Sequence, residues 1–317
     1  MKVLANDGIS NSGVTALEKA GFEVITQKVA QEQLVNIINE KEISVLLVRS
    51  ATKVRQDLID ACPTLKMIGR GGVGMDNIDV DYAREQGLQV INTPAASSAS
   101  VAELVFAHLF GMVRFLYDSN RQMPLEGESS FKDLKKAYAK GKELSGKTLG
   151  IVGFGRIGQE VAKRAIGLGM RVVAHDKFVN KADIELSFFN GEKMNFSIET
   201  TDLEDLLSQS DFVTLHIPKI DDKAVIGAEE IGMMKDGAGI INAARGGVID
   251  EDALMLALEK GKLDYAGLDV FENEPTPSIH LLMQANTSLT PHIGAATLEA
   301  QDRIGTELAE QISAFFK

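Results

Sequence analysis

The chain has 317 residues, of which 44% are hydrophobic and 25% charged, and 45 acidic against 33 basic side chains give a net charge of −12. This balance is typical of one large or two ordinary globular domains, and the negative charge disfavours nucleic acid and anionic membranes as partners without excluding a local basic pocket. No apolar run approaches the roughly 20 residues of a membrane helix, and we expect no signal peptide.

Short apolar strands alternate with amphipathic helices from the first residue. A helix is predicted from Val14 to Ala20. Strands are predicted at KVLAND, EVIT, SVLLVRS, LKMIGRGG and LQVINTP. This alternation predicts a parallel α/β sheet covered by helices on both faces.

The pattern changes at Ser97, after which apolar residues occupy most helical positions as far as Met123. We predict one continuous helix here. Because a helix that is apolar on all sides is buried, we expect this one at an interface between domains or subunits. The polar, lysine-containing stretch 123–147 is predicted to be a connector.

Alternation then resumes and continues to the C-terminus. Strands are predicted at KTLGIVG, MRVVAHD, DFVTLHIP, AGIINAAR, LDYAGLDV and TSLTP, and an amphipathic helix closes the chain after Pro291. The irregular stretch 177–201 contains the turn signal Asn190-Gly191. It is predicted to be a surface insertion that could hold a small hairpin.

The first chemical motif is GFGRIG, with glycines at Gly153, Gly155 and Gly158 between a strand and a helix. Such glycines allow a tight turn and a close approach of pyrophosphate to the helix N-terminus. Asp176 follows 18 positions after Gly158, where an acid accepts hydrogen bonds from the ribose of NAD and repels the 2′-phosphate of NADP. A glycine turn that serves packing alone is the alternative.

Polar residues also follow later strands. Arg245, in NAARGG after the strand AGII, is a candidate for binding a carboxylate, because its planar guanidinium makes paired hydrogen bonds. His292, in PHIG, is a candidate proton carrier, and Glu274 could orient it if the two side chains meet. An ordinary loop role is the alternative for each. The other histidines are expected to be core, cofactor-lining or loop residues: His108, His175, His216 and His280.

Two strand ends in the first half carry positive charge. GRGGVG, from Gly69 to Gly74, is a glycine-rich turn of the kind whose N–H groups bind anions. Arg49, Lys53 and Arg70 follow strands here, so we predict an anion-binding face rather than scattered surface charge. The single cysteine, Cys62, excludes an internal disulfide or cysteine metal site, is expected to be inert and partly buried, and suits a cytoplasmic protein.

Five blocks together indicate a family: VGFGRIGQEVAKR, DFVTLHIP, IINAARGGVIDEDAL, GLDVFENEP and LTPHIGAAT. Over nearly its whole length the chain resembles the D-isomer-specific 2-hydroxyacid dehydrogenases. The resemblance implies two doubly wound parallel-sheet domains of the α/β class. A Rossmann nucleotide domain at 100–291 would be inserted in a flavodoxin-like substrate domain formed by 1–99 and 292–317.

The resemblance also implies roles for individual residues. Arg245 would bind the substrate carboxylate, and His292 would be the general acid/base with Glu274 as its partner; no metal is implied. The residues implied to contact NAD are Gly153, Gly155, Arg156, Ile157, Gly158, Asp176, Ile217, Ala243, Ala244, Asp269 and Gly294. The residues implied to bind substrate are Arg49, Ser50, Lys53, Arg70, Gly72 and Val73, the last two through backbone N–H groups. Val73 stands where many relatives have threonine.

The blocks VRSATKV, GRGGVGMDNIDV and NTPAASSASVAE are most similar to the branch that oxidises D-3-phosphoglycerate to 3-phosphohydroxypyruvate, the first step of serine biosynthesis. Two alternatives stay open: reduction of another 2-keto acid such as glyoxylate or hydroxypyruvate, and an NAD(H)-binding corepressor. The resemblance further implies a homodimer through the nucleotide domain. It gives no match to the serine-sensing C-terminal domain of longer members.

Overall fold

The computed structural model describes residues 1–219 and 223–317. The chain forms two compact units, one of Met1–Ser100 with Ala295–Lys317 and one of Val101–Gly294. They are called the first and second unit below. The boundaries expected from the sequence, after residues 99 and 291, lie one and three residues before these divisions.

The first unit is built on five parallel strands. They are β1 (Lys2–Ala5), β2 (Glu23–Ile25), β3 (Ile43–Val48), β4 (Met67–Arg70) and β5 (Gln89–Asn92). Its helices are α1 (Asn11–Lys19), α2 (Leu34–Glu40), α3 (Gln56–Ala61), α4 (Val80–Glu85) and the C-terminal α12 (Leu298–Phe315). The strand order β2-β1-β3-β4-β5 is the flavodoxin-like order, which confirms the predicted class of this sheet.

The C-terminal helix α12 completes the core of the first unit. It packs closely on α1, because Gly13 and Gly305 face each other: a side-chain carbon at Gly13 would lie 2.8 Å from the Cα of Gly305. Every fourth residue along α12 is apolar and buried, as an amphipathic helix requires. These residues are Ala300, Ile304, Leu308 and Ile312.

The second unit is built on six parallel strands. They are β6 (Thr148–Val152), β7 (Arg171–His175), β10 (Phe212–Leu215), β11 (Ala238–Asn242), β12 (Leu263–Leu268) and β13 (Thr287–Leu289). Helix α5 (Ser98–Val113) begins at the end of the first unit and continues into the second. The other helices of the second unit are α6 (Leu116–Ala137), α7 (Arg156–Gly167), α8 (Leu203–Gln209), α9 (Ala228–Met233), α10 (Glu251–Glu259) and α11 (Ile279–Leu282). The order β13-β12-β11-β10-β6-β7 reverses direction at β6, as in a doubly wound nucleotide-binding sheet.

The prediction of one continuous helix after Ser97 is wrong at Phe115. Phe115 adopts a left-handed backbone conformation, with φ 52° and ψ 33°, and separates α5 from α6. Its ring packs against the core of the second unit, with its centroid 6.0 Å from that of Tyr138. Packing of this aromatic side chain accompanies a break that the helical apolar pattern does not reveal.

The prediction of a connector at 123–147 is also wrong over its first part. Helix α6 continues through Pro124 to Ala137, with a non-helical residue at Ser130. None of its residues is buried, which explains why the composition resembled a loop. Across the described residues no single helix is long and apolar enough to cross a membrane, and only α5 and α6 taken together, bent by 54° at their break, reach that length and composition.

The insertion at 177–201 contains an antiparallel hairpin, β8 (Lys181–Ser187) and β9 (Lys193–Glu199), as the turn signal indicated. Its inner face buries Ile184 in the same core as α7, and its outer face carries charged pairs such as Lys193 with Glu185 at 2.9 Å. A single parallel bridge, Ala174 with Thr200, links the segment to the edge strand β7. The hairpin therefore lies beside the main sheet without extending it.

Candidate active site

The glycine turn joins β6 to α7. Two of its glycines are tightly packed against the backbone, and the third borders open space. Gly153 has φ +94°, and a side-chain carbon there would lie 2.5 Å from the carbonyl oxygen of His216. A side-chain carbon at Gly158 would collide with the carbonyl oxygen of Gly153. At Gly155 the same carbon would meet nothing within 4 Å. Two glycines thus permit backbone packing, and Gly155 borders space that a ligand can enter.

The N-terminus of α7 is suited to an anion. The N-cap residue is Gly155, which has no side chain to accept a cap hydrogen bond, so the first-turn N–H groups have neither a capping nor an intrahelical acceptor. Together with the helix dipole they attract negative charge. Arg156 at the start of the helix is exposed, and Ile157 is half-buried against the core.

Asp176, directly after β7, is held by three backbone N–H groups. Its carboxylate accepts hydrogen bonds from Phe154 at 2.6 Å, Phe178 at 2.8 Å and Val179 at 3.0 Å. Burial acts to raise the pKa of Asp176, but these N–H bonds outweigh it and hold the pKa below its usual value. The carboxylate is therefore ionised at neutral pH and tied to the glycine turn through Phe154.

The loop that carries Arg245 is braced by Asn242 at the end of β11. The Asn242 side chain accepts a hydrogen bond from the Ala244 N–H at 3.0 Å and donates one to the Arg245 carbonyl at 2.8 Å. Arg245 Nη1 donates to the Ala244 carbonyl at 2.7 Å. A side-chain carbon at Gly246 would collide with the carbonyl oxygen of Phe271, so this loop lies directly against the chain that follows β12.

Glu274 and His292 meet in the structure. Oε2 of Glu274 lies 2.8 Å from Nδ1 of His292, and the Phe271 N–H donates to Oε1 at 3.1 Å. Because a carboxylate only accepts hydrogen bonds, Nδ1 of His292 carries a hydrogen, and Nε2 is left to exchange a proton. Both side chains are more than a third exposed, so a small molecule can reach them.

His292 lies in a strained backbone position with φ +54°. The residues around it are held by Asp269, which is 1% exposed. The Asp269 carboxylate accepts hydrogen bonds from Thr290 Oγ1 at 2.6 Å, the Ile293 N–H at 2.8 Å and the Gly294 N–H at 2.8 Å. Asp269, which the resemblance assigned to the nicotinamide, thus organises the segment that carries His292, the candidate proton carrier.

The predicted substrate residues lie in the first unit, after β3 and β4. Arg49 is half-buried, and Ser50 and Lys53 are exposed. Asp7 organises this turn, because its carboxylate accepts the N–H groups of Arg49 at 2.7 Å and Thr52 at 3.0 Å. The turn that carries Arg49 and Lys53 therefore already binds one negative charge, the carboxylate of Asp7, through its backbone N–H groups.

In the glycine-rich turn after β4, the N–H group of Gly72, expected to bind substrate, already has a hydrogen-bond partner. This residue has φ +146°, and its N–H donates to the Arg70 carbonyl at 3.0 Å. A carboxylate would have to displace that bond to use the N–H group. Val73 is 37% exposed, and its carbonyl accepts a hydrogen bond from Asn92 at 2.7 Å.

Other titratable candidates take no part in this constellation. Burial lowers the pKa of His216 to about 3, so its imidazole is neutral at pH 7, and Nε2 pairs with Thr214 Oγ1 at 3.0 Å. His175 Nδ1 lies 2.8 Å from the Thr201 carbonyl. Burial raises the pKa of Cys62 to about 11, in agreement with an inert thiol. Within 1–219 and 223–317, no group of three or more His, Cys, Asp or Glu side chains is placed to hold a metal ion.

Comparison with known proteins identifies the second unit. Residues 106–294 match the family model described as "D-isomer specific 2-hydroxyacid dehydrogenase, NAD binding domain". The chain belongs to this family. It is therefore an oxidoreductase of the 2-hydroxyacid dehydrogenase class with an NAD-binding domain.

Individual relatives of known name differ in length and in substrate. The hydroxypyruvate reductase of Thermotoga maritima is 44% identical over 98% of this chain and 97% of its own length. The D-3-phosphoglycerate dehydrogenase of Methanocaldococcus jannaschii is 42% identical over 98% of this chain but only 57% of its own length. Among solved structures, a glyoxylate reductase from Paecilomyes thermophila has a TM-score of 0.82 and 30% identity, covering 100% of this chain and 95% of that one.

The residues of the second unit fit NAD. Open space at Gly155, the first-turn N–H groups of α7 and the ionised Asp176 match a pyrophosphate next to a ribose. Ile217 packs against Gly153, and Ala243 and Ala244 follow β11 at the carboxyl edge of the same sheet.

Sequence reasoning missed two organising residues. Asn242 was quoted in its motif without a role, yet both ends of its amide brace the Arg245 loop. Thr290 was unremarked, although its hydroxyl lies 2.6 Å from Asp269. A polar residue at the carboxyl end of an apolar strand was the available signal, because a polar group that is covered by the fold requires hydrogen-bond partners.

Proposed function

We propose that this chain oxidises D-3-phosphoglycerate to 3-phosphohydroxypyruvate with NAD, and catalyses the reverse reduction. The observation that carries the reaction class is the 2.8 Å hydrogen bond between His292 and Glu274, on the same unit as Arg245. Moving a hydride to or from a hydroxyl-bearing carbon requires a group that takes or returns the hydroxyl proton. The His292–Glu274 pair supplies such a group with its tautomer already set.

The proton passes through Nε2 of His292. In the oxidation Nε2 accepts the substrate hydroxyl proton, and in the reduction it returns that proton to the carbonyl oxygen. Glu274 keeps the hydrogen on Nδ1 and balances the charge of the imidazolium that forms. When bound, NAD supplies the hydride acceptor, and NADH supplies the donor.

Arg245 binds the substrate carboxylate in this proposal. A guanidinium forms two parallel hydrogen bonds with a carboxylate and so fixes the orientation of the neighbouring C2 atom. The hydrogen bonds of Asn242 and the contact of Gly246 with the Phe271 backbone hold the loop in place. Substrate binding therefore loses less conformational entropy in ordering this loop.

A phosphorylated substrate is supported by the charges of the first unit. Arg49 and Lys53 follow β3, Arg70 is the last residue of the neighbouring strand β4, and the turn at Gly72 comes directly after it. Three cations at the carboxyl ends of two neighbouring strands suit a dianionic phosphate. We propose these side chains as its ligands.

Reduction of unphosphorylated hydroxypyruvate is the second candidate. It is favoured by the relative that matches this chain over almost its whole length, whose name is hydroxypyruvate reductase. The relatives named phosphoglycerate dehydrogenase extend well beyond the matched region, since the chain spans about half of their length. The carboxylate of Asp7, which is bound by the backbone of the Arg49 turn, also reduces the attraction of this turn for a dianion.

A substrate panel distinguishes the two candidates. NADH oxidation is followed with phosphohydroxypyruvate, hydroxypyruvate and glyoxylate, and we expect kcat/KM for the phosphorylated acid to be higher by at least about tenfold. Lys53→Ala should remove that preference, whereas Lys66→Ala, at the opposite end of β4, should leave it unchanged. Equal rates with the phosphorylated and unphosphorylated acids would exclude the phosphate site and favour the second candidate.

We also propose a homodimer through the second unit. Large apolar side chains are exposed along α5 and α6, at Phe110, Leu116, Tyr117, Leu125 and Phe131. An apolar surface of this kind is typical of an interface between subunits. A cytoplasmic location is proposed with it, on the evidence of the single buried cysteine.

A further inference from the structure

His108 lies in a buried hydrogen-bonded chain that the sequence did not indicate. It stands on α5 and is 2% exposed, and an ordinary core or interface residue was expected there. Its Nδ1 lies 2.8 Å from Ser288 Oγ on β13, and its Nε2 lies 3.1 Å from Thr290 Oγ1. Gly267 of β12 makes room for the ring, because a side-chain carbon there would lie 3.0 Å from Cβ of His108.

The carboxylate of Asp269 determines the direction of each hydrogen bond in the series Ser288–His108–Thr290–Asp269. The carboxylate of Asp269 only accepts, so the Thr290 hydroxyl donates its single proton to Asp269 at 2.6 Å. The Thr290 oxygen must therefore accept from His108, which places the ring hydrogen on Nε2. Nδ1 is then unprotonated and accepts the hydroxyl hydrogen of Ser288.

The surroundings keep His108 in this form. Burial lowers the pKa of His108, and the charge of Asp269 opposes this effect only in part, so the ring is neutral at pH 7. A neutral imidazole has one N–H donor and one acceptor nitrogen, as the two contacts require. All polar positions of the ring are used, so its orientation is fixed.

At its other end, the series of hydrogen bonds connects through Asp269 to the segment that carries His292. Asp269 accepts the N–H groups of Ile293 and Gly294, the two residues that follow His292. His292 has a strained φ of +54°, and such a conformation persists only when neighbouring bonds impose it. A change in the orientation of Asp269 would therefore alter the position of His292 Nε2.

We propose that His108 is a positioning residue, which acts through Thr290 and Asp269 to hold His292 in its strained conformation. His108 touches no reacting atom in this role. The proposal rests on the proposed function only in naming His292 as the proton carrier. Its structural content, that His108 restrains residues 290–294, stands apart from the substrate.

The test compares three variants of the whole protein. His108→Leu keeps an apolar side chain of similar size but removes both hydrogen bonds. His108→Gln restores a donor and an acceptor on a side chain that reaches the position of Nε2. Val105→Ala, at a buried residue of α5 in the same core that makes no side-chain hydrogen bond, is the packing control.

The first measurement is amide hydrogen exchange at Ile293 and Gly294, which requires no substrate. We expect His108→Leu to speed exchange at both amides by at least about tenfold, whereas His108→Gln and Val105→Ala stay within about threefold of the wild type. Unchanged exchange in His108→Leu would overturn the proposal, and so would an equal increase in Val105→Ala. If His108→Leu does not fold, His108→Asn, whose shorter side chain does not reach Thr290, undergoes the same comparison and decides it.

The second measurement is steady-state kinetics with the best 2-keto acid. We expect kcat of His108→Leu to fall by about tenfold while its Kd for NADH stays within about twofold, and His108→Gln to recover most of kcat. A loss of NADH affinity equal to the loss of kcat would indicate a general structural role and overturn the proposal. If the wild type reduces no 2-keto acid, the proposed function fails, and the exchange experiment still decides the role of His108.

Discussion

Nδ1 of His292 lies 2.8 Å from Oε2 of Glu274, although 18 residues separate them along the chain. The pair forms because β12 and β13 are neighbours in one parallel sheet, so the segments after their carboxyl ends come together. This relationship converts two ordinary loop residues into a candidate proton-transfer pair, and its consequences can be measured.

Replacing His292 tests the proton carrier directly. We expect His292→Ala to lower kcat by about 10² to 10⁴, because the variant loses the imidazole that takes the hydroxyl proton, while NADH affinity is preserved. Glu274→Gln should give a smaller loss, since the imidazole stays but its tautomer is less strictly set. Wild-type kcat in His292→Ala, with circular dichroism showing an intact fold, would refute the assignment.

Arg245 is expected to act on substrate and not on the cofactor. Arg245→Ala should lower kcat/KM by at least about tenfold, an effect of about 1.4 kcal/mol. Arg245→Lys should recover only part of this, because an ammonium group has the charge but not the planar fork. The readouts are initial rates with the preferred 2-keto acid and NADH binding by fluorescence. A selective loss of NADH binding would contradict the assignment.

Two glycines of α7, Gly158 and Gly167, provide a test position and its control for the packing of the glycine turn. Gly158→Ala should abolish measurable NADH binding and reduce stability, because the added carbon collides with the Gly153 carbonyl oxygen. Gly167→Ala in the same helix meets nothing within 4 Å and should be neutral, or stabilising by up to about 1 kcal/mol. Thermal unfolding and NADH titration of both variants are the measurements. Equal behaviour of the pair would show that the turn is not tightly packed.

Asp176 is expected to set the preference for NADH over NADPH. Asp176→Asn keeps an acceptor for part of the N–H cluster but removes the charge, so NADH should bind more weakly and the preference should narrow. Because the pKa of Asp176 lies below its usual value, its carboxylate is ionised from pH 5 to pH 8, and the wild-type preference should be constant over that range. A preference that disappears at pH 5 would require another origin.

Introducing a charged side chain into the exposed apolar surface of α5 and α6 tests whether this surface is the dimer interface. Phe110→Asp, on α5, should convert the proposed dimer to monomers, because an interface buries that side chain away from water. Leu256→Asp is the control, since Leu256 is 49% exposed on α10 and lies on a different helix. Sedimentation equilibrium measures both. A wild type that is monomeric at micromolar concentration would exclude the proposed interface.

Much of the fold could be predicted because it depends on local spacing. The apolar periodicity located the strands of both parallel sheets, and GFGRIG marked the start of α7. The resemblance carried by the five sequence blocks implied a nucleotide domain inserted in another domain, and the two units divide close to the expected residues. The break at Phe115 was missed, because the left-handed residue there accompanies contacts with distant side chains and not a local breaker.

The sequence by itself determined which chemical groups are present and where the strands that carry them end. Only the tertiary structure decided which groups meet: His292 with Glu274, and Asp269 with the segment that holds His292. It also decided that His108, apparently a core residue of an apolar helix, is bonded toward that segment. The physical reason is the distance along the sequence over which each interaction acts. Periodicity and turn chemistry act over a few residues, whereas a hydrogen bond between residues far apart in sequence depends on how strands and helices pack.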